Sequence, residues 1–255
     1  MLRIIKFVMQ DIVKNKIVLF YTLLLALLSW GIFGLEDNNS KGILTLLNVI
    51  LLNVPLVSII FSTIYIYNSN EFIELLLSQP IHRSKIWISF YLGLLLALVL
   101  SFIIGAGIPI LIFVPSVLGS MMVIIGILIT AVFISLSFLS VVITRDKAKG
   151  IGISIMLWLF FALLFDGLVL FLLFQFSDYP IEKIMVIVAA LSPIDLARIL
   201  VLLYMDASAM MGYTGAIFKQ YFGSNLGLLI TFLLLFFWAL IPFLISKKIF
   251  NKMDL

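Results

Sequence analysis

The sequence predicts an all-α polytopic membrane protein with six transmembrane helices, and three observations carry that expectation. Of the 255 residues, 64% are hydrophobic and only 11% charged, with a mean hydropathy of +1.32. Soluble domains hold roughly 45–50% apolar and about 25% charged residues. Six apolar stretches stand out, at residues 17–35, 43–67, 86–113, 120–144, 151–176 and 225–246. Each reaches or exceeds the roughly 18–20 residues that cross about 30 Å of hydrocarbon as a helix. None alternates with the period of two that a barrel strand requires. The first stretch differs from a secretory signal: its apolar run is too long, and it leads into Glu36-Asp37-Asn38-Asn39 without a small-x-small cleavage site. It reads as an uncleaved anchor.

Residues 1–16 precede that anchor and put Leu2, Ile5, Val8, Met9 and Ile12 on one helical face, opposite Arg3, Lys6, Gln10 and Lys14. This is the pattern of a basic interfacial helix, serving either as a simple anchor or as an elbow that transmits motion into the first crossing. Between the second and third crossings, residues 68–85 predict a two-turn surface helix. Asn70 is its expected cap, Glu71 and Glu74 suit the positive end of its dipole, and Pro80 prevents extension much beyond Gln79. Phe72, Leu75, Leu76 and Leu77 exceed what a connector needs, and such a patch ordinarily meets a protein or the bilayer. The alternative to partner docking is a plain re-entry turn with His82 and Arg83 at headgroup level. Within the crossings the unusual residues are Asn48, Asn53, Pro55 and Asp166. The asparagines suit interhelical hydrogen bonds or a polar path; Asp166, toward the outer half, suits either a watery outer edge or such a path. Gly105, Gly107, Gly150, Gly152 and Ser154 permit close helix approach. Residues 177–224 are too apolar for a plain loop. Ser192-Pro193-Ile194-Asp195 resembles a capping box, opening a short amphipathic helix with Leu196, Ile199, Leu200 and Leu203 on its apolar face. The expected arrangement is a re-entrant outer hairpin.

Orientation follows from the basic residues between crossings. With the N-terminus inside, Arg3, Lys6, Lys14, Lys16, Arg83, Lys85, Arg145, Lys147, Lys149, Lys247, Lys248 and Lys252 face the cytoplasm, against Lys41, Lys183, Arg198 and Lys219 outside. That ratio supports N-in and C-in. A seventh crossing over 184–204 would put Pro193, Asp195 and Arg198 in lipid and expel the basic C-terminal tail, so six is the better count.

A net charge of +4 from 16 basic and 12 acidic residues forms no phosphate-tracking stripe, which excludes a nucleic-acid partner. There is no cysteine, and His82 is the single histidine, so no metal site is expected. Met205, Met210 and Met211 carry thioethers that suit Cu(I), but methionine is more often packing material. No phosphate-cradling G-x-x-x-x-G-K-[ST], G-x-S-x-G or H-E-x-x-H occurs. The chain is therefore read as a non-enzyme without a cofactor of its own. No inverted repeat is evident.

A basic amphipathic start, six crossings, a Glu-bearing helix from Glu71 to Pro80 and a re-entrant segment before the sixth crossing together resemble a permease subunit of the ABC-2 type. That resemblance covers the whole chain. More narrowly, residues 71–84, 192–198 and 211–216 are similar to the permeases of nitrous oxide reductase maturation systems. The resemblance implies a homodimer in the bacterial inner membrane, in contact with lipid, with a cytoplasmic ATPase dimer that binds ATP and Mg. Asn70, Glu71, Phe72, Glu74, Leu75, Pro80 and Arg83 would couple to that ATPase, and Asn48, Asn53 and Asp166 would be candidates for the path. Asp195, Arg198, Met211 and Tyr213 would be candidates to meet a periplasmic β-helical protein. The implied activity is ATP-driven export of a sulfur species that serves copper–sulfur centre assembly. An ABC-2 exporter of lipid, haem, peptide or drug, and a non-transporting scaffold, are the alternatives.

Overall fold

A chain this apolar satisfies its backbone polar groups by hydrogen-bonding them along helices. In the computed structural model, which describes residues 1–36, 39–144, 146–176, 188–205 and 225–253, no strand occurs among the described residues. α1 (Leu2–Val13) is separated by Asn15, whose side chain caps the next helix, from α2 (Lys16–Leu35). α3 (Asn39–Asn68), the short α4 (Asn70–Leu77), α5 (Arg83–Phe113) and α6 (Val117–Ile143) follow. α7 starts at Lys147, capped by Asp146, and runs to Gln175 through a π-helical segment at Phe160–Leu164. α8 (Pro193–Tyr204) and α9 (Asn225–Lys252) complete the described chain.

Six of these helices, α2, α3, α5, α6, α7 and α9, are long and apolar enough to cross a membrane. Most overrun the apolar stretches that announce them: α3 starts at Asn39 rather than 43, α7 at Lys147 rather than 151, and α9 ends at Lys252 rather than 246. Hydropathy marks where lipid ends, whereas the i to i−4 ladder continues until a cap or turn stops it.

α6 is the central post, packed against α3, α5, α8 and α9, and is buried almost continuously from Val132 to Ser140. Two apolar cores stack along it. One joins α1, the end of α3, α4 and the start of α5 to Phe138 and Phe250; the other joins α2, the start of α3, the end of α5 and α8 to Ile129 and Leu235. The first core holds both termini and α4 at one end of the bundle, the termini end, and α8 lies at the other.

The two cores depend on small residues where helices touch. A Cβ on Gly105, inside the π segment Ile103–Gly107 of α5, would lie 2.8 Å from the Thr22 carbonyl oxygen of α2. A Cβ on Gly150 would lie 2.0 Å from Tyr67 Oη, which donates to the Thr144 carbonyl at 2.5 Å. Gly152, by contrast, faces open space and makes no close approach. The fully buried Ser154 Oγ bridges Thr63 Oγ1 at 2.7 Å and Ser140 Oγ at 3.0 Å, tying α7 to α3 and α6.

Candidate functional site: a docking helix at one end and an ion cluster at the other

At the termini end, α4 is amphipathic over two turns. Ile73 and Leu76 are buried, and Phe72 sits between Phe7 of α1 and Phe90 of α5, with ring centroids 5.2 and 6.0 Å away. Three of the four residues of the expected apolar patch, Phe72, Leu76 and Leu77, are thus packed inward, while Leu75 stays 64% exposed beside the exposed Glu71 and Glu74. Neither carboxylate makes an ion pair or a hydrogen bond among the described residues. Asn70 is the first helical residue rather than the cap: Ser69 holds the cap position, with its hydroxyl turned back to donate to the Tyr65 carbonyl at 2.8 Å. The helix stops at Leu77, ahead of the exposed Pro80.

Arg83 is used within the chain. Its Nη1 donates to the Met253 carbonyl, while Ser84 and Asn251 exchange hydrogen bonds beside it. Trp87, one turn further along α5, donates Nε1 to Ser246 Oγ at 3.1 Å and stacks on Phe250 with centroids 4.2 Å apart. The start of α5 and the end of α9 are therefore clamped together beside α4. α1 is held there too, by Val8 and Ile12 buried against α5 and by Tyr65 Oη donating to Asp11 at 3.0 Å. Nothing in the sequence pairs Arg83 with Met253, which lie 170 residues apart.

At the far end, Ser192 Oγ accepts from the Asp195 backbone N–H at 3.2 Å, the local bond expected of a capping box. α8 is not the half-exposed amphipathic helix its sequence suggested. Every residue from Pro193 to Leu203, Asp195 included, is buried except the half-buried Arg198, because α6 and α9 cover the helix. Arg198 Nη1 donates to Asp166 Oδ2 at 2.9 Å and to Asp195 Oδ1 at 3.5 Å. One guanidinium thus spans two carboxylates, one on α7 and one on its own helix. Burial, reinforced by the neighbouring Asp166 carboxylate and only partly offset by Arg198, pushes the Asp195 carboxyl up to about 7.

The fold therefore joins residues expected in different places: Asp166 as a path candidate, and Asp195 and Arg198 as partner contacts. The available signal was charge itself, since an acid in an apolar span and a base in an apolar re-entrant segment both need a counter-ion. Met211 and Tyr213 lie outside the described residues. Asn48 is exposed on α3, and Asn53 Nδ2 donates to the Val49 carbonyl of its own helix at 2.9 Å. α3 is instead tied to α7 by the Ser154 bridge and by Trp158 Nε1 donating to the Leu52 carbonyl at 3.1 Å.

Six apolar spans with a short amphipathic helix at the termini end define a multi-pass helical membrane protein, the class to which transporter permeases of the bacterial inner membrane belong. The family model described as ABC-2 family transporter protein matches residues 49–255, and the chain belongs to that family. It is also 29% identical over 225 residues, 80% of this chain and 82% of the relative, to the "Probable ABC transporter permease protein NosY" of Pseudomonas aeruginosa.

Proposed function

We propose that this chain is the permease subunit of an ATP-driven exporter. Two copies form the membrane path, and a separate cytoplasmic ATPase, which binds ATP and Mg, docks on α4. The observation that carries this reading is the pair of exposed carboxylates, Glu71 and Glu74, unpaired among the described residues, on a short helix braced from below by Ile73 and Leu76. A helix whose underside is locked into the bundle passes a push on its outer face to α3 and α5. The excess of Lys and Arg at this end supports placing it in the cytoplasm. α2 and α7 present apolar outer faces, including Phe20, Trp30, Met156 and Phe171, that suit lipid and a second copy.

The resemblance of residues 71–84, 192–198 and 211–216 to the permeases of nitrous oxide reductase maturation systems, together with the likeness to a permease named NosY, supports a narrower role in copper–sulfur centre assembly, by export of a sulfur species with a periplasmic β-helical partner at residues 177–224. The family match alone favours the second reading, an ABC-2 exporter of another cargo such as lipid, haem, peptide or drug. Mass spectrometry of what co-purifies with the tagged full-length chain, extracted in mild detergent from its own host, separates the two. A P-loop ATPase together with a secreted β-helical protein supports the assembly role. An ATPase without that protein supports another exporter, and no ATPase contradicts the proposal.

A further inference from the structure

Beside α4, a cleft of about 290 Å³ opens between α3, α4, α5, α6 and α9. Its walls are mostly apolar, formed by Ile66, Ile73, Val142 and Phe250, with Trp87 as the floor; Tyr67 and Thr144, joined by a hydrogen bond from the Tyr67 hydroxyl to the Thr144 carbonyl, add polar groups on one side. Trp87 is 1% exposed, and its hydrogen bond to Ser246 and its stacking on Phe250 fix the ring, so the floor cannot rotate to fill the space. The rim carries Asn70 and the carboxylate-bearing Glu74, whereas Glu71 does not line the cleft. Arg83 is turned to the Met253 carbonyl and makes no ion pair among the described residues. The cleft is thus a mostly apolar slot whose one acidic lining residue among the described residues, Glu74, makes no ion pair or hydrogen bond there, at an end of the molecule otherwise rich in Lys and Arg.

We infer that this cleft is the socket for one basic side chain of the docked ATPase, a Lys or Arg whose aliphatic stem lies on Ile73, Val142 and Phe250 and whose cationic head meets Glu74. The inference rests on the reading that an ATPase docks on α4, and it adds which carboxylate matters and what the partner must present. Long basic side chains bury their stems on apolar walls while keeping the charge at a polar rim, which is the distribution of surface found here. The volume lies at the lower edge of the roughly 300–1,000 Å³ of small-molecule sites, which suits a single side chain better than a lipid or a cofactor. General docking on an acidic helix would weight Glu71 and Glu74 equally; a socket weights them unequally.

The test uses the full-length chain co-purified with its ATPase, comparing dissociation constants for Glu71→Gln, Glu74→Gln and Val142→Phe, the last of which fills the cleft from its wall. The socket predicts that Glu74→Gln and Val142→Phe each weaken association by about tenfold or more, as loss of a partly desolvated charge pair does, and Glu71→Gln by no more than about threefold. Equal effects of the two glutamines, or wild-type affinity in both Glu74→Gln and Val142→Phe, would overturn it. Because Val142→Phe could disturb the fold, a benzoylphenylalanine placed at Met253 on the cleft edge gives an independent readout. Its crosslink should map to an ATPase segment bearing a Lys or Arg, and a crosslink to a segment without one would contradict the socket. If Glu71→Lys/Glu74→Lys abolishes association while the cleft variants do not, docking on α4 stands and the socket fails; if that double variant also binds normally, docking on α4 fails as well.

Discussion

Arg198 of α8 holds Asp166 of α7 through a 2.9 Å ion pair, joining residues 32 positions apart across the far end of the bundle. The bond ties the half of α7 away from the termini end, on a mostly exposed span, to a helix that is buried on nearly all sides.

Removing one member leaves the other charge without its partner. Arg198→Leu should lower stability by about 1–3 kcal/mol, between the values for exposed and buried pairs, because both side chains keep partial exposure. Asp166→Leu/Arg198→Leu should cost less than Arg198→Leu alone, since no orphaned charge remains on α7. Thermal unfolding in a single detergent checks the order of the two variants.

Asp195 makes part of the stability depend on pH. Its carboxyl is held up to about 7 by burial and by Asp166, so between about pH 4 and 7 the folded chain keeps a proton that the unfolded chain has lost. This contribution therefore falls as pH rises through that window and levels off above it. Asp195→Asn removes the dependence. Melting curves at pH 5 and pH 8 should show wild type losing stability relative to Asp195→Asn on going to the higher pH. An unchanged difference between the two proteins contradicts the assignment.

Gly150 is required where Tyr67 crosses α7. Gly150→Ala puts a methyl carbon 2.0 Å from Tyr67 Oη and should destabilise by about 1–3 kcal/mol, the usual cost of overpacking. In Tyr67→Ala the obstacle is gone, so the double variant should lose less than the two single losses combined. Gly152→Ala, which meets nothing within 4 Å, should be close to neutral or slightly stabilising, and serves as the control.

Ser154 looks indispensable, because its hydroxyl lies fully buried between two others. Yet Thr63 and Ser140 each also donate to a carbonyl of their own helix, at Ile59 and Ser137. Ser154→Ala therefore strands no donor and should cost about 1 kcal/mol or less. Ser154→Leu, which must force volume into a closed contact, should cost more. Thermal shifts of the two variants decide whether packing or hydrogen bonding governs this crossing.

The six spans are legible in the sequence because a bilayer imposes a minimum apolar length, and the Ser192 cap is legible because it is a bond between near neighbours. α4 is visible for the same local reasons, although the choice of Ser69 over Asn70 as its cap depends on a back-bond to Tyr65. The Asp166–Arg198 pair and the Arg83 bond to Met253 are set by packing between distant elements, which no spacing rule encodes. The π segments at Ile103–Gly107 and Phe160–Leu164 are also hidden, since their residues differ little from those of neighbouring turns. The burial of α8 is hidden because its apolar face says that it packs, but not on how many sides.

The most direct measurement is quantitative co-purification of the ATPase with the full-length permease carrying Glu71→Lys/Glu74→Lys, with thermal stability measured in parallel. Both side chains are exposed and, among the described residues, unpaired, so the bundle should melt as wild type does while ATPase recovery falls to background. Normal stability with undiminished ATPase recovery would contradict the assignment of α4 as the docking helix.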